Sequence, residues 1–208
     1  MGMKMNKKNR AILLSVLVAI LLIADQALKV WIKLDFKLYE SLTVFPDWFQ
    51  LSFLENEGAA YGVKFFEGIW GKLLLSVFRV VLIGGLGYYI YRLIKRNAPM
   101  GVLVGLTLIF AGAVGNMIDS AFYGLIFTES TPAQVAQLTF DGGYSSFMLG
   151  RVVDMFYFPL FKWEGAPQWL GFLFNKEGYF FGPVFNLADS YISVAVAYLL
   201  LFQYKFFK

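Results

Sequence analysis

The fold of this chain is decided first by residues 11–32, AILLSVLVAILLIADQALKVWI, an apolar run long enough to cross a bilayer as one helix. Asp25 and Lys29 interrupt the run four residues apart, a spacing that places both side chains on one face of a helix. We interpret them as a structural ion pair. The basic segment 4–10 before the run resembles the start of a signal peptide, but no small-residue cleavage site follows, so we expect the helix to be retained.

Three further apolar runs are long enough to span a membrane, at about Gly71–Ile94, Met100–Asp119 and Leu187–Phe207. Of the 208 residues, 59% are hydrophobic and 19% are aromatic, which is too apolar for a soluble domain of this length. The sequence therefore predicts a mainly α-helical membrane protein with four transmembrane helices, in a single domain over residues 1–208.

The distribution of charge predicts how these helices are oriented. Lysine and arginine without any acid occupy residues 1–10, 92–96 and 205–208. The other two connections are acidic on balance, with three basic and six acidic residues in 33–70 and three and five in 120–185. By the positive-inside rule, both termini face the cytoplasm and both acidic connections lie outside. We interpret the net charge of +4 as this topology signal and expect no nucleic-acid partner.

The two outer connections have different patterns. In Trp48–Phe53, apolar and polar residues alternate, which predicts a strand of a small extracytoplasmic β-sheet lying on the membrane. Residues 128–146 are rich in Thr, Ser, Gln and Gly, and they are typical of an exposed excursion. Residues 155–185 hold many aromatic residues with Gly and Pro, which indicates a segment resting at the lipid interface.

The chain contains no His and no Cys. This excludes Ser-His-Asp and Cys-His catalysis and leaves carboxylates as the groups for acid–base chemistry. Zinc sites are built mainly from His and Cys, so we expect no metal, and the chemistry calls for no organic cofactor.

Asp154 and Asp189 are the leading candidates, because each lies in strongly apolar sequence. Asp154 ends GRVVD (Gly150–Asp154), and an Asp at the middle of a membrane costs about 3 kcal/mol. Asp189, in FNLADS (Phe185–Ser190), has two interpretations of equal weight: a catalytic acid, or a partner of Asn186 in a helix cap. Two carboxylates that share a site do not ionise together easily, which provides one acid and one base for hydrolysis by an activated water.

A polar pair, Asn116 and Asp119, lies three residues apart at the outer end of the third span, on one helix face. The neighbouring Gly112 and Gly115 are explained by close helix packing. Polar side chains at this depth favour a functional or network role over a helix end that reaches toward water. Because the third span ends outside and the fourth begins outside, the predicted topology brings Asp119 and the two candidate acids together near the outer membrane surface.

The segment NEGAAYG (Asn56–Gly62) follows the predicted strand. It has two interpretations: an ordinary turn, or a surface where small residues such as Gly58 admit a substrate backbone to which Asn56 hydrogen-bonds.

Taken together, these motifs resemble the lipoprotein signal peptidase family, signal peptidase II. That family is similar in Asp-Gln-x-x-Lys, Asn-x-Gly-Ala-Ala-aromatic, Gly-Asn-x-x-Asp, Val-Val-Asp and Phe-Asn-x-Ala-Asp-Ser. In this chain the five motifs occur in that order at Asp25–Lys29, Asn56–Tyr61, Gly115–Asp119, Val152–Asp154 and Phe185–Ser190. They cover nearly the whole chain, and their order makes the resemblance specific.

The resemblance implies an aspartic endopeptidase of the bacterial inner membrane with its active site at the outer face. Its substrates are prolipoproteins whose Cys already carries diacylglyceryl, and it cuts on the amino side of that Cys. Membrane lipid is a further partner, and globomycin is the family inhibitor. The family's catalytic pair falls on Asp154 and Asp189. Its supporting polar positions fall on residues of four of the motifs: Asp25, Lys29, Asn56, Gly58, Asn116, Asp119 and Asn186.

This chain departs from the family in two respects. The family has Arg directly after the Asp that ends the third span, whereas this chain has Ser120. The family also joins that Asp to Val-Val-Asp by a few residues, whereas here residues 120–151 intervene. We hypothesise that Arg151 supplies the missing positive charge, which predicts that Arg151→Ala lowers activity or globomycin sensitivity.

Two other functions are compatible with buried acids. A small transporter or proton channel would use them as a relay, but it predicts internal repeats and acids spread through the membrane depth. The sequence shows no repeats, and its candidate acids cluster near one face. A non-catalytic assembly or lipid-binding protein would tolerate Asp→Asn at both candidate positions.

Overall fold

The computed structural model describes residues 5–46, 48–57, 68–165, 167, 179–180 and 182–208. The chain forms two compact units. The unit we call the helical unit comprises Met1–Gln26, Leu75–Met117 and Leu187–Lys208. The unit we call the sheet unit comprises Ala27–Leu74 and Ile118–Asn186.

In the described part of the chain, three helices are long and apolar enough to cross a membrane, as the sequence predicts. They are α1 (Lys7–Asp35), α2 (Gly68–Lys95) and α3 (Met100–Ile118), and α3 continues in the helical stretch to Ile126. The continuation consists of a π-helical turn, Asp119–Tyr123, and a short helix α4, Gly124–Ile126.

The fourth predicted span corresponds to a shorter apolar helix, α5, over Leu187–Phe202. It ends before a 3-10 turn at Tyr204–Phe206, so the predicted helix end at Phe207 is wrong by five residues. With 16 residues, α5 does not by itself reach the roughly 20 residues typical of a spanning helix. A mainly helical fold is confirmed, and a fourth crossing stays a prediction.

The core of the helical unit is apolar and close-packed. Its buried side chains come from α1, α2, α3 and α5 and include Leu14, Ile90, Leu103 and Leu199. The predicted role of Gly112 in close packing is confirmed, because a Cβ there would lie 2.4 Å from the carbonyl oxygen of Ala188. Any larger residue would force α3 and α5 apart.

The predicted small sheet is present in the sheet unit. Its three strands, β1 (Ser41–Phe45), β2 (Phe49–Asn56) and β3 (Val152–Tyr157), lie side by side in that order, and both pairs are antiparallel. The strand predicted at 48–53 is the first part of β2. Buried residues of β2 and β3 pack with the end of α1 and with the aromatic rings that follow α3, namely Tyr123 and Phe127.

The long insertion at 120–150 leaves and re-enters the fold at one place. The amide of Gly150 donates to the carbonyl oxygen of Ser120 at 2.8 Å, and that of Ser145 donates to Gly124 at 2.9 Å. The tip is exposed as predicted, with 92% of Phe140 accessible. The prediction is wrong for Ser130 and Ala136, which are buried because the insertion folds back on the unit.

The predicted interfacial segment 155–185 begins within a strand, and many of its later residues lie outside the described part of the chain. Residues 152–157 form β3, and residues 166, 168–178 and 181 are outside the described part of the chain, as is Gly58.

Candidate active site

In the sheet unit, Asp154 lies in β3 with its carboxylate buried. The side-chain amide of Asn56 donates to one carboxylate oxygen at 3.3 Å, and the amide of Asn186 donates to the other at 2.7 Å. Strand pairing accounts for the first contact, because Leu54 is opposite Asp154 and Asn56, two residues on, projects from the same face. The two amides hold the carboxylate in one orientation.

Asp119 is also in the sheet unit and forms a fully buried ion pair with Lys29. The Lys29 Nζ lies 2.8 Å from Asp119 Oδ2, and both side chains are 0% exposed. The same oxygen accepts the backbone N–H of Val153 at 3.2 Å. Asp119 opens the π-helical turn after α3, a feature that often marks functional sites. Through its hydrogen bond with the Val153 amide, Asp119 holds β3 one residue before Asp154.

In the helical unit, Asp189 lies half-buried in the first turn of α5, where the positive end of the helix dipole favours a carboxylate. The side-chain amide of Asn116 in α3 donates to its Oδ1 at 2.8 Å. Arg79 of α2 lies close enough for its charge to attract that of Asp189. Three helices thus contribute to the surroundings of this one acid.

Asp25 is buried in the helical unit and serves the start of α5. Its Oδ1 accepts the backbone N–H of Ala188 at 2.9 Å, and its Oδ2 accepts the amide of Gln26 at 3.1 Å. The first amides of a helix have no partner within the helix, so Asp25 caps α5 from another element. The predicted role of Gly115 in close packing is confirmed, since a Cβ there would lie 2.7 Å from Asp25 Oδ2.

Some sequence predictions are refined by these contacts. The partner described for Lys29 is Asp119, ninety residues along the chain, while the Asp25–Lys29 pair stays a prediction. Asn116 and Asp119 are three residues apart but have partners in different units. Asn116 donates to Asp189 in the helical unit, and Asp119 pairs with Lys29 in the sheet unit. That Asp119, Asp154 and Asp189 share one site also stays a prediction.

Sequence reasoning singled out Arg151 but missed the charged residues that surround it in the sheet unit. Lys33 in the last turn of α1 forms a buried ion pair with Glu55 of β2, and both contact the Ser130 hydroxyl, at 2.9 and 3.1 Å. Arg151 donates to Glu55 at 3.1 Å and to Glu129 at 3.2 Å. The signal in the sequence was weak: Lys33 follows Lys29 by one helical turn, and Glu55 directly precedes Asn56.

Tyr144 completes this set. Its ring lies 4.9 Å from the Lys33 Nζ, and its hydroxyl oxygen accepts the backbone N–H of Arg151 at 2.7 Å. Burial raises the pKa of the Tyr144 phenol, so the group stays neutral. Burial opposes the charge of Arg151, but hydrogen bonds and charge from Glu55, with a hydrogen bond from Glu129, outweigh it and raise the pKa of the guanidinium.

Among the described residues, no group of three acids lies close enough together to hold a metal ion. The polar groups described around the two candidate acids are carboxylates and amides: Asp154 with Asn56 and Asn186 in one unit, and Asp189 with Asn116 in the other.

Comparison with known proteins places this arrangement in context. A family profile described as Signal peptidase (SPase) II matches residues 17–205. A lipoprotein signal peptidase of Porphyromonas gingivalis is 47% identical over 188 residues, covering 89% of this chain and 80% of the relative. A lipoprotein signal peptidase of Amoebophilus asiaticus is 34% identical over 185 residues, covering 86% and 72%.

Two solved structures share the fold. Both are described as bacterial membrane enzymes solved by the in meso method. One has a TM-score of 0.59 at 22% identity and covers 97% of this chain and 96% of its own. The other has a TM-score of 0.57 at 23% identity, with coverages of 92% and 87%.

Proposed function

Because this chain belongs to the signal peptidase II family, and is thus a membrane protease, we propose that it removes signal peptides from lipoprotein precursors. The substrate we propose is a prolipoprotein already modified with diacylglyceryl, cut on the amino side of the modified Cys. The family match over residues 17–205 and the named relatives support this activity.

Asp154 and Asp189 are the catalytic pair of this proposal. The observation that carries it is the contact of Asn186 with Asp154 at 2.7 Å. Asn186 precedes Asp189 by three residues, so the amide that orients one acid belongs to the motif that contains the other.

The other buried acids already bind partners within the fold, which argues against a role as general base or general acid. Asp119 has a lysine partner and holds the backbone of β3. Glu55 is held between Lys33 and Arg151. Asp25 caps α5. Asp154 and Asp189 both accept hydrogen bonds from neutral side-chain amides, which orient a carboxylate without removing its capacity to exchange a proton.

The proposed mechanism uses the two acids in complementary states. One carboxylate takes a proton from a water that attacks the scissile carbonyl carbon, while the other, protonated, donates a hydrogen bond to the carbonyl oxygen. The tetrahedral intermediate then collapses as the C–N bond breaks and the leaving amine accepts a proton from the acid pair, which keeps the one proton it began with.

We also propose the membrane arrangement that the charges predict: four crossings of the bacterial inner membrane as one domain, with both termini in the cytoplasm and catalysis at the outer face. The substrate's signal helix would lie among the spans, with its diacylglyceryl in the bilayer. We propose that residues of the aromatic segment 155–185 cover the substrate, so that shortening this segment lowers turnover of long-tailed substrates.

The test is cleavage of a diacylglyceryl-modified prolipoprotein by the purified protein in detergent. We expect activity in the wild type, inhibition by globomycin, and a loss of at least about 1,000-fold in Asp154→Asn and in Asp189→Asn, since each removes a proton-transfer group. Asp141→Asn, at an exposed site on the insertion, is the matched control and should be fully active.

Other outcomes discriminate among functions. If the wild type does not cleave while another signal peptidase II does in the same assay, proton flux into liposomes should be measured next, because a proton relay would then be favoured. Cleavage that survives in either Asp→Asn variant would keep the peptidase but reject this catalytic pair.

A further inference from the structure

The charged cluster of the sheet unit, which consists of Lys33, Glu55, Glu129, Ser130 and Arg151, is not used by the proposed mechanism. Its centre is the carboxylate of Glu55, which is 2% exposed. Lys33 and Ser130 contact one carboxylate oxygen, and Arg151 contacts the other at 3.1 Å. Arg151, 28% exposed, extends the cluster to Glu129 at the surface.

A buried ion pair of this kind is weak evidence for stability, because two charges must be removed from water to form it. Replacing both partners by apolar residues is often neutral, whereas removing one partner leaves an uncompensated buried charge. The presence of the cluster therefore calls for a role beyond holding the fold together. The best-attested role of buried ionic groups is to select one alignment of neighbouring elements.

The alignment that matters here is the pairing of β2 with β3. Leu51 is opposite Phe156 and Leu54 is opposite Asp154, so three steps along one strand oppose two along the other and β2 contains a bulge. Beyond the bulge, Glu55 is opposite Val153 and Asn56 is opposite Val152.

A shift of one residue in this last part of β2 would turn Asn56 to the opposite face of the sheet, away from Asp154. Glu55 points to the other face and is held there by the cluster. It is therefore placed to fix the register after the bulge.

Building on the proposed function, we propose that Glu55 is a positioning residue: Lys33, Ser130 and Arg151 fix it, and it holds β2 in the register in which the Asn56 amide reaches Asp154. Glu55 and Asn56 are neighbours in the chain, so the position of one fixes that of the other, and the Asn56 amide lies 3.3 Å from the Asp154 carboxylate.

The insertion at 120–150 acquires a role in this arrangement. It supplies Glu129 and Ser130, and its Tyr144 binds the backbone of Arg151. The two ends of the insertion meet where the Gly150 amide donates to the Ser120 carbonyl oxygen. The chain then continues through Arg151 into β3. The insertion thus braces both strands that carry the polar groups around Asp154, and Arg151 acts on these strands through Glu55.

The experiment separates positioning from stability. Glu55→Gln leaves Lys33 without a full countercharge and should lower both the thermal midpoint and kcat. The double variant Lys33→Met with Glu55→Met removes both charges and should recover the wild-type midpoint. We expect its kcat on a diacylglyceryl-prolipoprotein to stay at least about 10-fold low, with KM within about twofold, because transition-state positioning rather than binding is lost. Glu40→Gln, an exposed carboxylate of the same unit, is the control.

Hydrogen exchange of the backbone amides of residues 54–56 provides a second readout that needs no activity. Positioning predicts exchange at least about 10-fold faster in the double variant than in wild type, with the rest of the unit unchanged. If kcat and exchange both return to wild-type values along with the midpoint, Glu55 only stabilises the fold and the proposal is wrong. Hydrogen exchange does not depend on cleavage. If the wild type fails to cleave, the proposed function is wrong, but the exchange rates still show whether Glu55 fixes the register of β2.

A second variant covers the case in which the double variant does not fold. Arg151 is partly exposed, so Arg151→Met should fold. Its kcat should fall about threefold to tenfold and its exchange at 54–56 should rise, while Arg151→Lys should recover most of both. Wild-type kcat and exchange in Arg151→Met would contradict the proposal.

Discussion

The helical unit and the sheet unit hold their acids by different means. In the helical unit, Asp189 lies where the backbones pack closely at Gly112 and Gly115, and it accepts a hydrogen bond from a neutral donor, the Asn116 amide. In the sheet unit, Asp154 lies beside two buried ion pairs, Lys29–Asp119 and Lys33–Glu55.

The difference follows from what each unit has available. Helices satisfy their own backbone and can approach closely where residues are small. The sheet unit has three strands, a bulge in β2 and a long insertion before β3. Its backbone geometry is less restrained by the strands themselves, and we infer that the buried charges restrain it further. Substitutions should therefore affect the units differently: size changes should matter most in the helical unit, and charge changes in the sheet unit.

The largest stability effect is expected in the sheet unit, from Lys29→Met. The substitution leaves Asp119 buried without its countercharge, and breaking such a pair costs about 3–5 kcal/mol. Thermal unfolding in detergent should show a large drop in the midpoint. Adding Asp119→Leu should recover part of this loss but not all, since the bond from Asp119 to the Val153 amide is lost too. A Lys29→Met variant as stable as wild type would contradict the view that charge organises this unit.

The second effect belongs to the helical unit and tests size rather than charge. Gly112→Ala puts a Cβ 2.4 Å from the Ala188 carbonyl oxygen, and such overpacking costs about 1–3 kcal/mol. The shift should also displace the first turn of α5, so kcat should fall together with the unfolding midpoint. Gly84→Ala in α2 is the control, because a Cβ there meets nothing within 4 Å. Equal midpoints for the two variants would show that close packing does not set this unit's geometry.

The same division explains how much was predictable from the sequence. Hydropathy locates α1, α2 and α3 because each helix satisfies its own backbone and presents apolar side chains along its whole length. The motifs around Asp154 and Asp189 are also readable, since acids in apolar sequence are conspicuous. The predicted alternation at 48–53 identifies β2 because one face of that strand is buried and the other is not.

The elements that were missed lack such a local signal. β3 reads VVDMFY and has its first four residues buried, so it shows no alternation, and all five residues of β1 are exposed. The charged cluster joins residues far apart in sequence, with Arg151 and Glu55 separated by 96 positions. Without a contact map, Glu55 looks like one more charge in an acidic connection.

The smallest effect expected concerns Asp25, whose carboxylate caps α5 from α1. Asp25→Ala removes the acceptor for the Ala188 N–H, and loss of a helix cap costs about 1 kcal/mol. Because the first turn of α5 also carries Asp189, kcat should fall by more than the modest drop in thermal midpoint suggests. Asp25→Asn keeps an oxygen acceptor and should restore most of both. If Asp25→Ala instead lowers stability as severely as Lys29→Met, then charge organises the helical unit as well, and the contrast between the two units does not hold.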